Sequence, residues 1–288
     1  MALETHTEFL SVDTPEGPRQ MAWQMWQQST MDGAPILVCV HGLTRNRHDF
    51  DVLAEAMTEE YRVVTVDILG RGDSDWLTQP EHYGYPLYVS LMTQLLEHIA
   101  SITGETGFDW LGTSMGGLIG MMIAASPVSP IERLILNDIG PEIPLAGLQR
   151  LSAYVGKAPL FTTLAEVEDY LRITSSGFGE LTDEQWQTMA GHAARQNESG
   201  LWQMAYDPEI SRAFDGVNES VDLTAVWQMV QCPVLVIRGA ESDLLTECGL
   251  KRMCQRDNTT QVTFSGAGHA PALMSEAEIK AIRNFLVS

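Results

Sequence analysis

The sequence predicts an α/β fold: a mostly parallel, eight-stranded sheet with helices on both faces and a helical segment inserted after the sixth strand. Three observations predict it. Short apolar runs alternate with stretches of helical spacing along most of the 288-residue chain, the rhythm of a parallel sheet built from crossover helices. Ile36-Leu37-Val38-Cys39-Val40 is apolar at every position, as expected of a strand covered on both faces. From about Pro141 to Val226 the strand signal fades while helical periodicity continues.

Taken in order, Phe9 to Val12 and Met21 to Trp26 read as two strands around the turn-rich Thr14-Pro15-Glu16-Gly17-Pro18, an antiparallel hairpin at a sheet edge. Ile36 to Val40 is the third strand. His48 to Met57 reads as a helix and Tyr61 to Val66 as the next strand. Leu87 to Ile102 is helical, with Leu91, Leu95, Ile99 and Ile102 on one face. Phe108 to Leu111 and Ile131 to Leu136 are strands five and six, Pro233 to Ile237 and Gln261 to Phe264 are seven and eight, and Ser275 to Leu286 closes the chain as a helix. Within the inserted stretch, Leu145 to Tyr154, Leu164 to Ile173 and Asp183 to Ala194 have helical spacing. The expected organisation is a core domain of residues 1–140 and 227–288 with a helical cap over 141–226. Such a cap would sit above the carboxyl ends of the strands, where open α/β sheets bind ligands.

The segment richest in chemistry is Gly112-Thr113-Ser114-Met115-Gly116-Gly117. It is a G-x-S-x-G pattern between a strand and the helix-like run Leu118 to Ala125, a context that presents the Ser114 hydroxyl above the sheet on a sharp turn. A serine hydroxyl is a weak nucleophile unless a base takes its proton and an acid orients that base. The base is expected at His269, in the glycine-rich loop Ser265-Gly266-Ala267-Gly268-His269-Ala270-Pro271 after the last strand. The acid is expected at Asp243, in Arg238-Gly239-Ala240-Glu241-Ser242-Asp243 after strand seven. Asp138, which also follows a strand, is its rival, and Glu241 is the other nearby carboxylate. Acyl transfer also requires donors for the oxygen that becomes negative. The backbone N–H groups of Met115 and of Leu43, in His41-Gly42-Leu43-Thr44, are the candidates. His41 is open to a reading as a second base, but reads first as a residue that shapes that loop.

With these pieces in place the chain resembles the α/β-hydrolase fold superfamily, in its serine carboxylesterase-like branch. The matching residues are His41-Gly42, the run Asp67-Ile68-Leu69-Gly70-Arg71-Gly72-Asp73-Ser74-Asp75, the Gly112–Gly117 turn, Asp243 and Gly268-His269, spread over nearly the whole chain. The resemblance implies a structural role for Arg71 and Asp73 at the rim of the site. It also implies hydrolysis of small or medium, largely apolar esters, lactones or polyester oligomers. A carbon–carbon bond hydrolase of ring-fission keto acids is the alternative, although Thr113 and Ala270 stand where such enzymes often carry Asn and Trp. A hydrolase-fold binding protein is the remaining one.

Composition narrows the partners. With 17 Lys+Arg against 38 Asp+Glu the net charge is −21, which disfavours nucleic acid and anionic membrane surfaces. No run approaches the roughly 20 apolar residues of a membrane helix, and Met1 to Ser11 has neither the basic start nor the apolar core of an export leader. The expectation is a cytoplasmic protein acting on a small-molecule ester, with assembly into a homo-oligomer left open. Cys39 and Cys232 read as small buried residues, and Cys39, Cys232, Cys248 and Cys254 contain no C-x-x-C pair. Neither a metal nor an organic cofactor is expected.

Overall fold

The computed structural model describes residues 3–28 and 33–288; Met1 and Ala2, the first residues of the Met1 to Ser11 stretch read above, lie outside it. Eight strands form the central sheet: β1 (Leu3–Val12), β2 (Arg19–Gln28), β3 (Ile36–Val40), β4 (Arg62–Val66), β5 (Phe108–Thr113), β6 (Ile131–Asn137), β7 (Val234–Gly239) and β8 (Thr259–Phe264). Their order is β1-β2-β4-β3-β5-β6-β7-β8. β1 and β2 form the expected antiparallel hairpin, β2 joins β4 antiparallel, and every other pairing is parallel.

The alternation of side chains along a strand splits the apolar runs between two cores. From β3, Val38 and Val40 enter one layer while Leu37 and Cys39 enter the other. The second layer is roofed by α1 (Asp51–Met57) and by the C-terminal helix Glu276–Leu286, through Leu53, Met57, Ile282 and Leu286. The first is roofed by α2 (Tyr85–Thr103) and α3 (Met115–Ala124), through Leu91, Leu95, Ile99, Leu118 and Ile119. Ile102, read as part of the same apolar face, is 54% exposed in the last turn of α2. Cys39 is fully buried, but Cys232 is only partly so, because it lies just ahead of β7 rather than within it. Among the described residues no helix is long and apolar enough to cross a membrane.

Between β6 and β7 the chain forms α4 (Leu145–Ser152), α5 (Leu164–Thr174), α6 (Asp183–Ala193) and α7 (Thr224–Met229). Thr163 with Glu166, and Thr182 with Gln185, close capping boxes that start α5 and α6. The sequence shows no strand here, yet there are five of two or three residues each. Leu160–Phe161, Trp202–Met204 and Ala194–Gln196 form one small sheet, and Glu142–Ile143 pairs with Val221–Asp222 at the base of the segment. They are too short to establish a period of two. Beyond β7 follow α8 (Glu247–Met253) and α9, the C-terminal helix already described.

Packing is close where α3 leaves β5. A Cβ on Gly116 would collide with the Val40 carbonyl, and one on Gly112 would collide with the backbone of Gly116 and Gly117. Gly191, inside α6, has open space where its Cβ would be. Gly116→Ala is therefore expected to cost about 1–3 kcal/mol of stability by overpacking, and Gly191→Ala to add about 0.5–1 kcal/mol by raising helix propensity. Urea denaturation of the two variants checks the opposite signs.

Candidate active site

β5 delivers Ser114 to the C-terminal edge of the sheet in a conformation that side-chain-bearing residues avoid, φ 51° and ψ −111°. Surrounding contacts hold it there. The Ser114 N–H donates to the Asn137 carbonyl at 3.0 Å, and the Trp110 indole N–H donates to the Gly116 carbonyl at 3.1 Å. Asn137 also donates to Thr113 Oγ1 at 3.0 Å and to the Pro271 carbonyl at 2.9 Å, tying the serine turn to the histidine loop.

That loop brings His269 over the serine. Ser114 Oγ lies 2.9 Å from His269 Nε2, and His269 Nδ1 lies 2.8 Å from Asp138 Oδ2. With Nδ1–H donating to the carboxylate, Nε2 is the acceptor that faces the hydroxyl. Asp138 is fully buried, directly past the end of β6, with φ 57°. A carboxylate out of water needs donors, and Asp138 has three: His269, the Gly239 N–H at 2.8 Å on Oδ1, and the Ser242 hydroxyl on Oδ2. An arrangement of this kind can move a proton from the serine to the imidazole and stabilise the charge that develops on the ring.

The acid position differs from the expectation. Asp243 does not reach His269; its carboxylate is held by the Arg150 guanidinium of α4, at 2.5 Å from Nε and 2.8 Å from Nη2. Burial pushes the Asp243 carboxyl up, but the Arg150 bonds and charge outweigh it and the net displacement is downward. Glu241 is exposed. The physical reason is the sheet itself: β6 and β7 are neighbours in register, Asn137 opposite Ile237, so the residues after both strands arrive at the same edge. Asp138 turns inward there, its N–H bonded to the Ile237 carbonyl at 2.8 Å. From the other loop it is Ser242, not Asp243, that enters the site. The sequence signal for Asp138 was its position immediately after a strand; no local feature marked Ser242.

Of the two backbone donors expected for a negative oxygen, Met115 directly follows Ser114 and Leu43 lines the same cavity as Ser114. Met115 opens α3, so its N–H has no partner within the helix, and neither it nor the Leu43 N–H is bonded elsewhere among the described residues. His41 controls the direction of the Leu43 group. The Ile68 N–H donates to His41 Nε2 at 3.0 Å, so the ring proton is on Nδ1 and donates to the Gly42 carbonyl at 2.7 Å. The Arg45 N–H holds the same carbonyl at 3.1 Å. The Gly42 carbonyl and the Leu43 N–H belong to one planar peptide unit, and anchoring one end aims the other. Burial, then the Arg71, Arg45 and Arg47 charges, push the His41 imidazole down to about 3. It therefore stays neutral as a loop-shaping group and is no base. Arg71, fully buried, donates to the Leu43 carbonyl at 2.9 Å and rests against Met115 Sδ at 3.7 Å, while Asp73 binds Arg47 at 2.7 Å.

Ser114, His269, Gly42 and Leu43 share one cavity with side chains from the segment between β6 and β7, including Leu151, Tyr154, Tyr170, Met204 and Tyr206. Away from it, His48, Asp51 and His192 bring one ligand-type atom each to within 4.8 Å of one another. The two imidazoles stack at 3.9 Å with planes 15° apart, so their in-plane lone pairs run side by side rather than converging on one ion. Burial, then the neighbouring His48 ring, lower the His192 imidazole below its ordinary value.

Comparison with known proteins gives the family of the chain. Residues 37–281 match the model of the Alpha/beta hydrolase family. The chain is 38% identical to the 3-hydroxybutyrate-oligomer hydrolase of Cupriavidus necator, with 97% of each chain covered. Among solved structures it is similar to a putative hydrolase from Rickettsia typhi (TM-score 0.86, 31% identity, covering 100% of this chain and 99% of that one). It is equally similar to an alpha/beta hydrolase from Novosphingobium aromaticivorans (TM-score 0.87, 30% identity, 100% and 99% covered). The chain belongs to the alpha/beta hydrolase family.

Proposed function

We propose that this chain is a serine hydrolase of carboxylic esters whose substrates are short oligoesters of 3-hydroxy acids. The observation that carries the reading is the continuous line of hydrogen bonds Asp138–His269–Ser114 at the wall of a cavity. The near-full-length similarity to a 3-hydroxybutyrate-oligomer hydrolase supports the substrate class.

In this reading Ser114 Oγ attacks the ester carbonyl carbon while His269 Nε2 takes the hydroxyl proton. The Leu43 and Met115 N–H groups receive the carbonyl oxygen as it becomes negative, a contribution of about 2.7–4 kcal/mol for each donor. Asp138 fixes the imidazole tautomer and favours its protonated form. His269 then gives the proton to the departing alkoxide, which leaves as the hydroxyl end of the shortened oligomer. Water, deprotonated by His269, attacks the acyl-serine and releases the acid. The segment over 141–226 acts as the cap. Its Leu151, Met204 and Tyr206 face the same cavity as Ser114, which supports that role, and the Arg150–Asp243 pair clasps α4 to the core.

Two measurements test this reading. A fluorophosphonate probe is expected to label the protein at one residue and to leave Ser114→Ala unlabelled, while the unmodified protein releases 3-hydroxybutyrate from its linear dimer and trimer. Labelling that persists in Ser114→Ala would remove the proposed nucleophile. Asp138→Asn is expected to lower kcat by about 10²–10⁴-fold, since the tautomer is no longer held, and Asp243→Asn by less than about tenfold, since it loosens only a half-exposed pair. Steady-state kinetics decides, and the reverse ranking would return the acid to the loop after β7.

A further inference from the structure

Two phenolic hydroxyls at the site have no acceptor for their protons among the described residues. The oxygens of Tyr170 and Tyr206 are shielded from solvent and have no hydrogen-bond partner among the described residues. Both side chains line the cavity that holds Ser114 and His269. The Gly156 N–H lies beside the Tyr206 oxygen, but a backbone N–H is itself a donor and leaves the phenol proton without an acceptor. Buried polar groups in folded proteins are nearly always satisfied, and one that is not calls for an explanation.

Both groups are held rigidly. Tyr206 forms a bridge with Arg71 on the core, flanked by the Gly72 N–H to Ala205 carbonyl bond and the Asp207 N–H to Gly70 carbonyl bond, each 2.8 Å. Tyr170 projects from α5 beside the buried Leu171, with its ring 5.4 Å from that of Phe161. Burial, then the neighbouring Tyr170, push the Tyr206 hydroxyl up to about 12, and burial also raises that of Tyr170. Both therefore remain O–H donors. The cavity they line also holds Leu151, Val155 and Leu171, whose side chains cannot accept a hydrogen bond.

We infer that Tyr170 and Tyr206 form an acceptor-binding subsite that reads oxygen atoms on the substrate chain beyond the scissile ester, selecting hydroxyacyl chains over plain alkanoyl chains of the same length. The inference rests on the proposed function for the identity of the substrate. An oligomer of a 3-hydroxy acid carries such an oxygen on its third carbon, as a free hydroxyl or as the next ester; a simple alkanoate has a methylene there and leaves both phenols unpaired. A site built to hydrogen-bond a substrate group rejects the analogue lacking it far more strongly than an apolar pocket rejects an extra group. Tyr170 and Tyr206 are thus positioning residues for specificity, with no part in bond breaking.

The test compares p-nitrophenyl 3-hydroxybutyrate with p-nitrophenyl butyrate for the unmodified protein, Tyr170→Phe, Tyr206→Phe and the double variant. The hydroxybutyrate-to-butyrate ratio of kcat/KM is expected to fall about tenfold in each single variant, the typical consequence of losing one hydrogen bond to a substrate. The loss is expected in KM for the hydroxybutyrate, which a general loosening of the fold would not produce. Direct binding supplies a readout that needs no turnover. In Ser114→Ala, methyl 3-hydroxybutyrate is expected to bind more tightly than methyl butyrate by calorimetry, and adding Tyr170→Phe or Tyr206→Phe should erase the difference. If the unmodified protein cleaves both esters but the ratio is the same in all four proteins, the subsite is overturned while the esterase reading stands. If neither ester is cleaved yet the binding preference depends on the tyrosines, the subsite stands and the esterase reading falls. Equal binding of the two ligands in Ser114→Ala would overturn the subsite.

Discussion

The arrangement of the site depends on how one buried carboxylate is satisfied. Asp138 has no exposed surface, and its charge is held by three donors from three places: His269 on the last loop, the Gly239 N–H at the end of β7, and Ser242 in the loop that follows. Removing water from a carboxylate is costly unless such partners replace it. The same bonds that satisfy Asp138 therefore fix where His269 must sit, and the position of His269 brings Nε2 to the Ser114 hydroxyl. Folding energy and site geometry are in this respect a single problem.

The backbone donors follow the same logic. His41 and Arg71 are both fully buried; His41 donates to the Gly42 carbonyl and accepts from the Ile68 N–H, and Arg71 donates to the Leu43 carbonyl and rests against Met115 Sδ. In the proposed mechanism they are rigid supports for dipoles that must point at one spot before substrate arrives, the condition under which electrostatic stabilisation of a transition state is effective. The segment between β6 and β7 adds the opposite wall. It is fastened by the Arg150–Asp243 pair, by the short strands at its base, and by the backbone bonds around Tyr206.

Much of this was legible in the sequence, and for a definite reason where it was. The serine turn has a recognisable pattern because each glycine answers a close approach: Gly112 to the backbone of Gly116 and Gly117, Gly116 to the Val40 carbonyl at the end of β3, and Gly117 to the Ile139 side chain past β6. The strands of the sheet were legible because burial on both faces writes continuous apolar runs such as Ile36 to Val40. His269 was legible because a glycine-rich loop after the final strand has one histidine. The acid was not. Asp138 and Asp243 follow adjacent parallel strands that end at one edge, and which of them turns inward is settled by tertiary contacts, Ser242 and Arg150 among them, that no short window contains. The short strands around Trp202 and Phe161 were missed because two or three residues carry no periodicity. Tyr170 and Tyr206 were visible only as part of the aromatic content of the insertion; their unpaired hydroxyls are a property of the folded cavity.

The hydrogen bond from His269 Nδ1 to Asp138 can be observed directly. Such an imidazole N–H proton, shielded from exchange and bonded to a carboxylate, gives a proton NMR signal far downfield of the amide region. One such signal is expected, disappearing in His269→Ala and in Asp138→Asn and persisting in Asp243→Asn. A signal that survives Asp138→Asn and is lost in Asp243→Asn would contradict the assignment of Asp138.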